Sequence, residues 1–165
     1  MTDPMPPVPL PAAAPDEGMP VAPRLPPAIV VTDLADADDV ALISDGLDAF
    51  NVQEAGTDDR RPLAVLVKDP ETGRVLGGLT GRTSLGLLFV DLFYLPPALR
   101  GSGIGSEILR QAEREGRNRG CRSGVLYTIT FQAPDFYRRH GWHAFGEIPC
   151  DPPGTSRVFM TKDLV

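Results

Sequence analysis

The stretch Leu99-Arg100-Gly101-Ser102-Gly103-Ile104-Gly105-Ser106 has the residue types that bind a phosphate group. It follows an apolar run, Leu87 to Leu95, and opens a helical pattern that reaches about Arg119. The first N–H groups of a helix lack partners within the helix and carry partial positive charge, so they attract anions. Alternate glycines let the backbone approach a ligand closely, and Arg100 adds a fixed positive charge. An ordinary tight turn before a helix is the alternative interpretation.

Two common nucleotide-binding patterns do not fit this stretch. A dinucleotide-binding loop requires G-x-G-x-x-G and an acidic residue about 20 positions later, a distance that here reaches Cys121. A P-loop requires a lysine directly after its last glycine, whereas Ser106 follows Gly105 here. The pattern that remains is R-x-x-G-x-G, read as Arg100, Gly103 and Gly105.

The elements that must position this stretch follow the order of an α/β fold with a mixed sheet. Short turns join the second to fourth strands into an antiparallel meander, and strand–helix–strand around the glycines implies a parallel crossover. The glycine pair Gly77-Gly78 predicts a bulge or a close backbone approach within a strand. Apolar spacing predicts the strands at Ile29–Thr32, Leu63–Val67, Arg74–Thr80, Leu87–Leu95, Ser123–Thr130, Trp142–Ile148 and Ser156–Lys162, and helices at Val40–Phe50, Gly103–Arg119 and Ala133–Arg139.

Composition narrows the class of protein. The 165 residues carry a formal net charge of −6 and are 42% hydrophobic, which predicts one soluble domain and argues against nucleic-acid binding. No apolar run is long enough to span a membrane and no signal peptide is visible, so we expect a cytoplasmic protein. Cys121 and Cys150 are far apart in the sequence, and in a chain that looks intracellular we expect reduced thiols. The sequence has neither C-x-x-C nor H-E-x-x-H, and His140 and His143 flank a turn, so we expect no metal site.

Residues 1–27 form a separate segment in this interpretation. They contain ten prolines, which leave little room for helix or sheet. We expect a flexible, disordered tail ahead of a single domain at 28–165. A ligand for a proline-recognising domain is the functional alternative.

A second motif, Ala133-Pro134-Asp135-Phe136-Tyr137-Arg138-Arg139-His140-Gly141-Trp142, gives the chain a family resemblance. It resembles A-x-x-F/L-Y-x-x-x-G-F of the GNAT superfamily of acetyl-CoA-dependent N-acetyltransferases, with Trp142 in the aromatic position. Phe93-Tyr94-Leu95-x-Pro97-x-x-Arg100 similarly resembles L-x-V-x-P-x-x-R, and R-x-x-G-x-G resembles the superfamily's pyrophosphate loop. The resemblance covers about Ile29 to Leu164. Phe131-Gln132-Ala133, followed by Phe136-Tyr137, points to a bacterial subgroup with F-Q-A-x-x-F-Y.

The resemblance implies a mostly antiparallel sheet of six to seven strands, flanked by helices, in which the central strands four and five splay apart. Backbone amides of the glycine loop would hold the pyrophosphate of acetyl-CoA, and the end of the fourth strand would pair with the pantetheine arm. Thr130 stands where the superfamily often has asparagine and reaches less far. The residues implied to bind the cofactor are Phe93, Tyr94, Leu95, Arg100, Gly101, Ser102, Gly103, Ile104, Gly105, Ser106 and Thr130.

The resemblance also implies catalytic roles. Tyr137 would protonate the departing thiolate; a thiol has a pKa of about 8.5 and a phenol about 10, so the phenol keeps its proton at neutral pH. Asp91, in the long strand, is a candidate general base, although strand alternation also allows it to face away from the cleft. A chain of water molecules is the alternative base. Acceptor-binding residues are expected at Asn51, Thr128, Phe131 and Gln132.

The sequence therefore predicts an N-acetyltransferase that moves an acetyl group to a primary amine of a small molecule or peptide. The amine would attack directly in a ternary complex, because no cysteine is placed to carry the acyl group. A homodimer is left open. The rival hypotheses are a non-catalytic acyl-CoA sensor on the same fold and an interaction module recruited through the proline-rich segment.

Overall fold

The computed structural model describes residues 27–165, which divide into two compact units after Val40. The tail predicted at 1–27 lies outside the described residues except for Pro27. Residues 27–36 have no regular secondary structure, so the predicted strand Ile29–Thr32 is wrong. Its β-branched side chains are exposed, and a strand needs cross-strand partners that this segment lacks within the described chain.

The first helix, α1, spans Ala37–Ala55. It extends beyond the predicted end at Phe50, so Asn51 is helical. None of its side chains is buried, and its apolar stripe, which includes Ile43, Leu47 and Phe50, is exposed to solvent.

A six-stranded mixed sheet forms the remainder, in the order β1-β2-β3-β4-β6-β5. Neighbouring strands pair antiparallel except β3 and β4, which pair parallel across the crossover. This confirms the predicted α/β fold and mostly antiparallel sheet. The strands are β1 (Arg61–Lys68), β2 (Val75–Ser84), β3 (Leu87–Tyr94), β4 (Ser123–Ile129), β5 (His143–Cys150) and β6 (Thr155–Asp163), and the other helices are α2 (Ile104–Asn118), α3 (Pro134–Arg139) and a short 3-10 turn (Pro97–Leu99).

Helix α2 covers one face of β1, β2 and β3. Its buried stripe of Ile108, Leu109 and Ala112 packs against the fully buried Leu79 and Leu88 of the sheet. Removing one such leucine side chain typically costs about 2–5 kcal/mol, so this contact fixes the helix and therefore the loop that leads into it.

The predicted close approach at the glycine pair is confirmed. A Cβ atom on Gly77 would lie 2.7 Å from the carbonyl oxygen of Tyr94 on the neighbouring strand. Only glycine therefore lets β2 and the end of β3 come this close.

Candidate active site

The central opening of the sheet lies between β3 and β4. Their parallel pairing runs only from Leu87–Val90 against Ser123–Leu126, although both strands continue beyond it. A register shift between Thr80 and Gly81 of β2 leaves Asp91 as the bulged residue of β3, directly after the last parallel pair. The splaying predicted for strands four and five, here β3 and β4, is confirmed. On this side, Phe93 and Tyr94 have no strand partner from β4.

The glycine-rich loop turns from the end of β3 into α2. Gly101 and Gly103 have φ angles of 75° and 88°, which side-chain-bearing residues rarely adopt. A Cβ atom at either position would meet nothing within 4 Å, so open space lies beside the backbone. Gly103 is the N-cap of α2 and supplies no side-chain cap, so the first N–H groups of the helix remain available to a ligand.

Two side chains hold this loop in shape. The Arg100 Nε donates a hydrogen bond to the Leu95 carbonyl oxygen at 2.9 Å, and the Ser102 hydroxyl donates to the Leu99 carbonyl oxygen at 2.8 Å.

Glu107 adds a carboxylate to the first turn of α2. Hydrogen bonds from Arg110 and Gln111 keep its pKa below the usual range, and Arg110 also forms an ion pair with it.

These residues fit a phosphate-bearing cofactor with an amide-containing arm. Uncapped helix N–H groups beside open space suit a pyrophosphate, and the edge of β3 at Phe93 and Tyr94 can pair with amides as a further strand would. The exposed charge of Arg100 lies at the same end.

Tyr137 lies on α3 beside this opening. Phe136, the residue before it, packs edge-on against Phe93 at a ring-centroid distance of 5.9 Å. A Cβ atom on Gly105, in the first turn of α2, would lie 3.6 Å from the same Phe136 ring. The ring of Phe136 therefore joins the end of β3, the start of α2 and the helix that carries Tyr137.

The environment of Tyr137 keeps its phenol neutral. The residue is 8% exposed, and burial raises its pKa to about 12. No side chain among residues 27–165 bonds its hydroxyl, whereas every fully buried side-chain oxygen or nitrogen there has a hydrogen-bond partner. The hydroxyl therefore retains some exposure while its ring is enclosed, so it can still bond a ligand or a water molecule.

A buried polar cluster supports Tyr137 from behind. The Trp142 indole N–H donates to Glu113 Oε1 at 2.9 Å, and Lys162 Nζ lies 2.6 Å from Glu113 Oε2. The Trp142 ring contacts the Tyr137 ring at 6.3 Å between centroids. Glu113, a charged residue of α2, is only 3% exposed, because Trp142 and Lys162 satisfy its buried carboxylate.

Asp91 is exposed and paired. Its side chain is 45% exposed, and its Oδ1 lies 2.5 Å from Arg82 Nη1. The Arg82 guanidinium in turn lies 4.4 Å from the centre of the Phe89 ring. The bulge places the backbone of Asp91 directly after the last β3–β4 pair, and its role as general base stays a prediction.

A cavity of about 350 Å³ borders Asp91. Arg60 Nη1 bonds both oxygens of Asp48, at 2.8 and 2.6 Å, and the Ser44 hydroxyl at 3.1 Å, which ties α1 to the start of β1. The predicted acceptor residue Asn51 lines a smaller hollow of about 20 Å³ nearby. The larger cavity is lined by Ser44, Asp48, Arg60, Pro62, Gly81, Arg82 and Asp91, residues that the sequence, apart from Asp91, did not identify.

The other predicted ligand-binding residues lie at the end of β4. Thr128 is buried and donates its hydroxyl to Gln132 Oε1 at 3.3 Å, so both are engaged with each other. Thr130 accepts a hydrogen bond from the Ser156 N–H at 3.1 Å, and Phe131 is exposed. Their contacts with acceptor or cofactor stay predictions, and the packing of Thr128 does not favour a direct one.

A mixed sheet that opens between two parallel strands, beside a glycine-rich helix start, defines the class of acyl-CoA-dependent acyltransferases. The model of the GNAT acetyltransferase family matches residues 32–142. The chain belongs to this family and is an acyltransferase; enzymes of the family take the acyl group from an acyl-CoA.

Two relatives by sequence and one solved structure are similar to this chain. An acetyltransferase of Agrobacterium fabrum is 35% identical over 133 residues, which cover 81% of this chain and 96% of that protein. The blasticidin-S acetyltransferase of Streptomyces morookaense is 37% identical over 109 residues, or 64% of this chain and 80% of that protein. The crystal structure of an acetyltransferase from Agrobacterium tumefaciens matches with a TM-score of 0.75 at 34% identity, covering 82% of this chain and 98% of that one.

Proposed function

We propose that this acyltransferase moves the acetyl group of acetyl-CoA to a primary amine of a small molecule or peptide. The observation that carries the proposal is the neutral, enclosed Tyr137 phenol beside an opening whose other end is an uncapped helix N-terminus. The similarity to the blasticidin-S acetyltransferase supports a small-molecule acceptor. The predicted homodimer and cytoplasmic location are not needed for this chemistry and stay predictions.

The chain's own residues would act in sequence. Asp91, directly or through water, removes a proton from the acceptor's ammonium group, and the nitrogen then forms a bond to the acetyl carbon. As the carbon–sulfur bond breaks, Tyr137 donates its phenolic proton to the sulfur. The remaining excess proton on the attacking nitrogen passes through water to the Tyr137 phenolate, and Asp91 releases its proton to solvent. Bound acetyl-CoA supplies the acetyl group as a thioester.

Direct attack is favoured over an acyl-enzyme. Cys121 is buried, and burial raises the pKa of its thiol, so it is a poor nucleophile at neutral pH. It also precedes β4, at the end of that strand where β3 and β4 still pair. We therefore expect no burst of free thiol before steady-state turnover.

Calorimetry with acetyl-CoA, NAD and ATP tests the cofactor, and Gly103→Asp tests the site. This change puts a side chain and a negative charge where phosphate would lie, so acetyl-CoA binding should be lost. Gly120→Asp is the matched control, because Gly120 has a similar φ of 83° and equally open surroundings at the other end of α2. Tight ATP binding without acetyl-CoA binding would refute the proposal, and binding without turnover of any amine would favour the sensor hypothesis.

A further inference from the structure

The cavity beside Asp91 is lined by equal numbers of acidic and basic side chains. Two carboxylates, Asp48 and Asp91, and two guanidinium groups, Arg60 and Arg82, line it, so its formal charge sums to zero. The four side chains are between 35% and 45% exposed and remain accessible from solvent. The cavity is wide open to solvent, with a volume of about 350 Å³.

Each ion pair leaves bonding capacity unused. Within residues 27–165, Asp91 bonds through Oδ1 alone and Arg82 through Nη1 alone, so a second carboxylate oxygen and further N–H groups remain. Arg60 likewise uses only Nη1, on Asp48 and Ser44. A guanidinium has five N–H donors and binds carboxylates in a forked geometry, whereas a carboxylate accepts bonds from an ammonium.

The carboxylate residue Asp91 and the guanidinium residue Arg60 have different positions relative to the opening of the sheet. Asp91 is the first residue of β3 after its last pair with β4, so an ammonium bound to it lies at the opening. Arg60 precedes β1 and is fixed by α1, two strands away from β3 in the sheet. A ligand that spans both would point its amine toward the reaction and its anion away from it.

We propose that this cavity binds a zwitterionic acceptor, a small molecule that carries both the primary amine to be acetylated and a carboxylate. The assignment rests on the proposed acetyl transfer and adds the substrate class. Asp91 receives the ammonium through its remaining carboxylate oxygen, and Arg60, at the other end of the cavity, receives the carboxylate. A polyamine or aminoglycoside would set further ammonium groups against the two guanidinium groups, and those like charges disfavour it.

The first test needs no variant. Thiol release by the full-length chain is measured with α-, β- and γ-amino acids, with their carboxamides, and with spermidine and kanamycin. Ligand-observed NMR in the presence of CoA reports whether each compound binds. The carboxylates should have kcat/KM values roughly 10- to 100-fold above those of the carboxamides, the range expected for a lost charge-assisted hydrogen bond. Carboxamides or polyamines that match the acids would overturn the substrate class.

The second test assigns the effect to the cavity. Arg60→Gln should raise KM for the preferred amino acid about 10-fold or more, with KM for its carboxamide nearly unchanged. Arg74→Gln, an exposed arginine in the β1–β2 turn outside the cavity, is the control and should leave both values unchanged. Equal KM changes for acid and amide in Arg60→Gln would overturn the assignment.

The outcomes separate this inference from the function on which it rests. Amino acids that bind in NMR but release no thiol would overturn acetyl transfer and retain the ligand class. Turnover of other amines, with amino acids neither bound nor acetylated, would overturn the ligand class and retain acetyl transfer.

Discussion

Replacing Tyr137 with phenylalanine removes one hydroxyl from an otherwise unchanged ring. If the phenol protonates the leaving sulfur, kcat should fall about 10²- to 10⁴-fold, which corresponds to about 3–5 kcal/mol of lost transition-state stabilisation. The hydroxyl bonds no side chain in the described part of the chain, so folding at neutral pH and acetyl-CoA affinity should change little. Tyr127→Phe, on the half-exposed tyrosine of β4, is the matched control and should retain full turnover.

The same variant has a second signature, in stability at alkaline pH. Burial raises the Tyr137 pKa from 10.0 to about 12. A raised folded-state pKa contributes stability that is intact below pH 10 and is lost as the pH rises through 10 to 12. At pH 11 the loss from this group is about 1 kcal/mol, at 1.36 kcal/mol per pKa unit.

Urea unfolding at pH 8 and pH 11 measures this difference. The wild-type chain should lose about 1 kcal/mol more than Tyr137→Phe between the two values. Equal losses in both chains would mean that burial does not shift this phenol. Near-normal kcat in Tyr137→Phe would mean that water or another group reprotonates the sulfur, and the assigned mechanism would then be wrong.

Three further predictions concern stability. Glu113→Ala leaves the Trp142 N–H buried without an acceptor, so urea unfolding should show a loss of about 3–5 kcal/mol, and Glu113→Gln, which keeps an acceptor, should lose less. A Cβ on Gly124 would lie 2.5 Å from Trp142 Cη2, so Gly124→Ala should lower the free energy of unfolding by about 1–3 kcal/mol. The double variant with Trp142→Phe should lose less than the sum of the two single changes, and additive losses would refute the contact. A chain that begins at Pro27 should keep the Tm and turnover of the full chain, and a clear drop in either would show that residues 1–26 contribute.

Most of the fold and part of the candidate site could be predicted from local sequence patterns. The glycine loop and the α3 motif are short, so each is visible within a few residues, and the parallel crossover follows from their order around Ser123–Ile129. The strand at Ile29–Thr32 was predicted from β-branched residues alone. A strand also needs a neighbour, and no local pattern reports whether one is present.

The missed residues are those whose partners are distant in sequence. Glu113 and Lys162 are 49 positions apart, so a charged residue on a helix gave no sign that its partner would bury it. Arg60 and Arg82 were missed for the same reason. They belong to different strand regions, and only the folded sheet brings them together at one cavity.

The short pairing between β3 and β4 also has a mechanical consequence. Within the described residues, strand pairing between one three-stranded half of the sheet, β1-β2-β3, and the other, β4-β6-β5, is confined to Leu87–Val90 and Ser123–Leu126. The sheet is thus a wedge, closed at one end and held open at the other, and helix α2 packs on the first half. A ligand arm that pairs along the open edge adds the missing strand, so it acts as a splint between the halves. We therefore expect the proposed cofactor to stiffen the sheet when it binds.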